Sequence, residues 1–167
     1  MTRILASTLL GLIVTAAAGA RAQNAPAVTP AEARTAIQAG YDRWVKARVT
    51  LDTNTIERML GQDFTFQLPD RKLTRQEFVD RVRSNRPRRF AETVLTVEPR
   101  DNDWSVFIVG KVEIETKDQE GKPSREYRVL VARDGWRKLN DNQWILLSSE
   151  VLSQQRWKDE RPPIAGW

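Results

Sequence analysis

The 167-residue chain contains no cysteine and no histidine. Without cysteine there can be no disulfide, no thiolate nucleophile, no thiolate metal site and no lipid-modified N-terminal Cys. Without histidine the chain lacks the commonest metal ligand and the one side chain that titrates unperturbed near neutral pH. Ser-His and Cys-His nucleophilic mechanisms are therefore excluded. The Asp and Glu residues do not fall at ligand spacing, so neither a metal nor a cofactor is expected. Long apolar runs are equally scarce. The first, Ile4 to Ala18, falls short of the roughly 20 residues a membrane span needs, and no second run of that length follows. No transmembrane segment is expected beyond residue 22.

What stands at the N-terminus has the three parts of an export signal. Met1-Thr2-Arg3 supplies one positive charge, the apolar run follows, and Ala20-Arg21-Ala22 is a small-x-small triplet suited to signal peptidase. Residues 1–22 are thus expected to be cleaved after Ala22 or Ala20, placing the protein in the periplasm or outside the cell. The remaining 145 residues suit one domain with a sizeable core. Removing Arg3 and Arg21 leaves 25 basic and 22 acidic side chains, a mild +3 behind a pI of 9.9.

Residues 23–28 read as a linker. Thr29-Pro30-Ala31-Glu32 then opens a helix with a capping box and Pro at N1. Ile37, Tyr41, Trp44, Val45 and Arg48 form one broad face that runs to about Val49. Asp52 caps a shorter helix bearing Ile56, Met59 and Leu60, ended by Gly61. Residues 63–68 alternate, with Phe64, Phe66 and Leu68 on one face of a strand. Pro69-Asp70 turns the chain into a second capping box, Thr74-Arg75-Gln76-Glu77, and a helix burying Phe78, Val79 and Val82. Four strands complete the pattern, at 93–98, 104–116, 125–139 and 143–155, with a bulge expected at Asp134-Gly135. Residues 156–167, charged and Pro-containing, are expected to be a loose tail.

The order ααβαββββ, over a domain at 29–155, resembles the nuclear transport factor 2-like superfamily, which includes ketosteroid isomerases and SnoaL-like cyclases. The closer texture is that of exported bacterial members grouped as a domain of unknown function. It rests on Trp44, Leu51-Asp52, Leu60-Gly61-Gln62-Asp63-Phe64, Leu68-Pro69-Asp70, Leu73 to Phe78, and Asp134-Gly135-Trp136-Arg137-Lys138 followed by Asn142-Gln143-Trp144. The resemblance implies an α+β cone: a bent antiparallel sheet with three helices packed on its concave face. In the isomerases a first-helix Tyr helps form the oxyanion hole, and an Asp near the end of the first strand is the base. The matching positions here hold Trp44 and Leu68, so that isomerase mechanism is not expected. The fold itself hosts enzymes, binding modules and assembly domains.

A cone implies a pocket, and Tyr41, Trp44, Phe64, Phe66, Leu68, Tyr127, Arg133 and Trp136 are its candidate lining. The leading expectation is a pocket for a small, largely apolar ligand. One alternative is a cofactor-free isomerase, lyase or cyclase with Asp63, Asp134 or Glu150 as catalytic base. A second is a dimerisation or accessory module of the cell envelope. An Asp–Arg pair involving Arg133 is a candidate for holding such a base in position. The densest charge is the run Arg81, Arg83, Arg86, Arg88 and Arg89. With only Phe90 to stack on a base, it does not suggest nucleic acid. Phe107 and Val109, on the outer face of their strand, are the candidate surface for a homodimer.

Overall fold

The computed structural model describes residues 28–140 and 143–163. The expected leader, residues 23–27 of the linker, the turn residues Asp141 and Asn142, and the last four residues lie outside the described residues.

Helix α1, Pro30–Thr50, begins with the capping box read from the sequence: Thr29 accepts from the Glu32 N–H, and Glu32 accepts from the Thr29 N–H at 2.8 Å. It ends where Leu51 takes a left-handed conformation at φ 57°. Asp52 caps α2, Thr53–Met59, and the same chemistry at Thr74 and Glu77 starts α3, Arg75–Ser84. The α2 helix stops at Met59, and Gly61 lies inside the strand that follows, β1, Leu60–Gln67.

The sheet has six strands, not five. The additional one, β2, is Lys72–Thr74, three residues that pair antiparallel with β1. A three-residue strand is too short to show a two-residue period, and Thr74 is also the cap of α3. Long strands follow: β3, Arg89–Arg100; β4, Asp103–Lys117; β5, Pro123–Asn140; and β6, Gln143–Lys158. The spatial order is β2-β1-β6-β5-β4-β3. Every pairing is antiparallel except β1 with β6, which is parallel and carries a register shift between Leu60 and Thr65. The β5–β6 ladder is irregular in three places, one of them between Gly135 and Trp136, where the sequence places the bulge. β6 outruns its expected end: Tyr127 pairs with Trp157 and Glu126 with Lys158. Asp159 then accepts from the Arg125 N–H at 2.8 Å. Residues 156–159 are thus pinned to β5, whose early start at Pro123 exposes the backbone groups they need.

The core lies between the concave face of this curled sheet and the helices. Ile37, Tyr41 and Trp44 from α1 and Phe78, Val79 and Val82 from α3 face Val94, Val106, Ile108, Ala132 and Leu146. Each large apolar side chain buried this way contributes about 1.5–3 kcal/mol. Gly40 lets α1 approach the sheet closely, since a Cβ there would lie 3.0 Å from the Trp136 ring.

Candidate functional site

Among the described residues, the sheet and the helices leave a largely enclosed space between them, a cavity of about 120 Å³. Its floor and wall come from strand positions two apart, because alternate side chains of a strand share a face. On β5 these are Arg128, Leu130, Ala132 and Asp134. They pair across the ladder with inward residues of β4, Ile108 opposite Ala132 and Val112 opposite Arg128. Asp134 sits opposite Ser149 of β6 at the closed end. Phe64, Phe66 and Leu68 line one side from β1 and the segment after it. Phe78 of α3 meets this group centrally: its ring stacks on Trp44 at 5.9 Å and meets Phe64 and Phe66 at 5.2 and 5.0 Å.

Halfway up the wall, Glu92 of β3 pairs with Gly110 of β4, which pairs with Leu130. Paired residues share a face, and Gly110 puts nothing there. A Cβ at that position would lie 3.0 Å from the Leu130 side chain. The missing side chain keeps space open beside Glu92.

Of the acidic and basic side chains that line this cavity, only Asp134 is a candidate from the sequence. Asp134 is 3% exposed. Its Oδ2 accepts from the Tyr41 hydroxyl at 2.6 Å, and that hydroxyl accepts from the Trp136 indole N–H at 2.9 Å. Burial pushes the Asp134 carboxyl up to about 6, against hydrogen bonds from Tyr41 and Ser149 that favour its ionised form. Glu92 is raised well above the ordinary carboxylate range. The causes are burial first and the nearby Asp134 charge second, opposed by the Arg48 charge and a Trp44 hydrogen bond. Arg48, whose guanidinium lies 5.5 Å from the Phe90 ring centre, is depressed chiefly by burial. Arg81 of α3 stands at the mouth with Arg128, depressed by partial burial and by the like charges of Arg71, Arg128 and Arg156.

Three of these residues hold a buried polar atom with no hydrogen-bond partner: Arg48 Nη1, Glu92 Oε2 and Asp134 Oδ1. Arg48 and Glu92 keep partial exposure as whole residues, but these charged-end atoms are enclosed. Natively folded chains rarely leave such groups unsatisfied, and three of them lie around one cavity.

The other sequence candidates lie elsewhere. Asp63 is exposed. Glu150 pairs with Arg133 at 2.5 Å on the outer face of the sheet, with side chains 40% and 44% exposed. Arg133 therefore holds no buried Asp, and neither Asp63 nor Glu150 reaches the cavity. Tyr127 and Arg133 fall on the outer face because they sit at odd positions of the strand that sends Arg128 to Asp134 inward. Trp136 is on the inward face but packs beneath Tyr41, ring centres 5.2 Å apart, and closes the cavity's end instead of lining it. The run of arginines from 81 to 89 divides. Arg83 pairs with Glu57 and Asp80, and Arg86 donates to the Val49 carbonyl. Arg88 and Arg89 flank the buried Glu113 of the outer face, with Arg125 at 4.0 Å. Only Arg81 faces the cavity. Arg48 falls on the apolar face of the first helix in the sequence but has no partner there to give it a role; nothing local marks Glu92, because β3 reads as a polar edge strand until the helix covers it.

No family model and no curated protein matches the chain. Solved structures do. A conserved protein from Planctomyces limnophilus is similar at a TM-score of 0.61 and 16% identity, over 71% of this chain and 93% of that one. Aln2 from a Streptomyces species is similar at 0.59 and 16% identity, over 75% and 93%. An NTF2-like protein from Cytophaga hutchinsonii is similar at 0.53 and 16%, over 71% and 95%. The chain has the α+β cone of the NTF2-like superfamily, with three helices on a curled, mostly antiparallel sheet.

Proposed function

We propose that the cavity is a small-molecule site that moves a proton on its ligand without a cofactor, as an isomerase or lyase does. The observation that supports this most is the pair of enclosed carboxyls, Asp134 and Glu92, both made weaker acids by burial. At neutral pH Asp134, near 6, is mainly ionised and acts as base. Glu92, whose burial and nearby Asp134 charge favour the protonated form, is the candidate acid. Two carboxyls in different surroundings are how one site runs both halves of a proton transfer. Arg48 supplies a fixed positive charge for negative charge that develops on the ligand. The base is not at the position the isomerases use, which holds Leu68, nor is Trp44 an oxyanion tyrosine.

Size narrows the ligand. A cavity of about 120 Å³ is close to the ~150 Å³ space that admits benzene. It takes one ring, not a steroid. The test is carbon-bound hydrogen exchange in D2O, followed by NMR, for a panel of ring-sized carbonyl compounds. Exchange above the buffer rate is expected, falling at least 100-fold in Asp134→Asn and about tenfold in Glu92→Gln. Exchange at the buffer rate for the whole panel would sink the catalytic reading. The aromatic wall of Phe64, Phe66 and Phe78 supports a second reading, a binding protein that holds such a ligand without turnover.

Two further proposals concern the protein's setting. Residues 1–22 are an export signal, so N-terminal sequencing of the protein from its envelope begins at Gln23 or Arg21. The outer face around Phe107 and Val109 joins two copies. Both side chains are half-buried, Val109 opposite Val131, in a sheet face whose flanks are charged. No described helix is long and apolar enough to cross a membrane.

A further inference from the structure

We infer that the molecule this cavity accepts is an anion: a ring-sized carboxylic acid, its ring against Phe64, Phe66 and Phe78 and its carboxylate between Arg48 and Arg81. The inference rests on the reading of the cavity as a small-molecule site and names the class of ligand.

Two of the charges at this cavity lack counter-charges. Arg128 has its own, Glu126, and Arg156 lies 4.0 Å from the same carboxylate. Arg48 and Arg81 form no ion pair among the described residues. For Arg48 the nearest candidate is Glu92, but no ion pair joins them, and Glu92 is the group whose surroundings favour the neutral acid. Arg48 Nη1 is enclosed with no acceptor at all. Arg81 adds to the repulsion felt by Arg48, and Arg71, Arg128 and Arg156 repel Arg81 in turn. An uncompensated cation in an enclosed site is costly, and removing water from two of them compounds the cost. One carboxylate relieves both. Guanidinium groups suit it because their planar N–H forks match a carboxylate's two oxygens. Gly110 leaves open space beside Glu92 on the same wall, and the aromatic side chains Phe64, Phe66 and Phe78 leave the ring a dry surface. The polarity runs one way along the cavity: Arg81 at the mouth, Arg48 inside it, Asp134 at the closed end. An acid entering ring-first passes Arg81 with its ring, so its trailing carboxylate comes to rest near the arginines while its far edge approaches Asp134.

Benzoate and its neutral isostere benzamide, titrated into the purified protein by calorimetry, test this. Benzoate is expected to bind at least tenfold more tightly than benzamide and to weaken as salt rises. Arg81→Gln, at the partly exposed mouth where folding is not at stake, is expected to reduce benzoate affinity about tenfold and leave benzamide unchanged. Arg48→Met removes the inner half of the clamp and is expected to cost at least as much. Equal binding of the two probes, with Arg81→Gln harmless, overturns the anion inference and leaves the small-molecule site standing. Binding of neither probe overturns both.

Discussion

Asp134 makes the stability of this molecule depend on pH. Its carboxyl titrates near 3.8 in an unfolded chain and at about 6 in the folded one. A folded-state value raised in this way stabilises the protein below about pH 3.8, and the stabilisation is lost as pH rises through 6. The size is on the order of 3 kcal/mol. Glu92 acts in the same direction. The carboxylates whose values are lowered, among them the capping Glu32 and Glu77, act the other way but finish below about pH 5. Urea unfolding between pH 5 and 7 should therefore show stability falling with pH, and Asp134→Asn should flatten that slope. A wild-type slope that rises instead would show that Asp134 is not enclosed. Tyr41 is the companion test. Tyr41→Phe strips Asp134 of a donor and the Trp136 indole of an acceptor, both buried. The expected loss is about 2–4 kcal/mol, read in the same denaturant titration.

Helix α1 is positioned as much by what it omits as by what it carries. Gly40 to Ala would ordinarily stabilise a helix interior by about 1 kcal/mol. Here the added methyl meets Trp136 at 3.0 Å, under the Tyr41–Asp134 pair. The substitution is expected to destabilise, and a higher melting temperature in Gly40→Ala would refute that packing. Helix α3 depends on its cap. Thr74→Ala removes the acceptor for the Glu77 N–H and should cost about 1 kcal/mol. Because α3 carries both Phe78 and Arg81, the same change should weaken benzoate binding without touching the cavity wall. Both capping boxes were legible from four residues each, since capping is local chemistry. Strand β2 was not, because its only partner is β1, reached across a turn.

The molecule as a whole is a curled sheet with two faces of different character. The inner face holds the cavity. The outer face holds Glu113 among arginines at one end and the Arg133–Glu150 pair toward the other, with Phe107, Val109 and Val131 between. Light scattering at tens of micromolar should give a dimer mass, and Phe107→Lys should shift it to a monomer while leaving benzoate binding intact. A wild-type monomer would count against the outer face as an interface.

By itself, the sequence determined what short-range rules govern: three helices with their caps, the faces of α1 and α3, the long strands, and a fold recognisable as a cone. Of its candidates, Tyr41, Trp44, Phe64, Phe66, Leu68 and Asp134 line the cavity. The two-residue period of β5 already separated Tyr127 and Arg133 from Asp134, and applying it strictly removes both from the cavity. Only the tertiary structure decided that Glu92 and Arg48, far apart in the chain and unremarkable in their own segments, enclose the same space, with Gly110 leaving room beside them. Their chemistry comes from lost water and from each other's charge, and neither exists until α1 closes over the sheet.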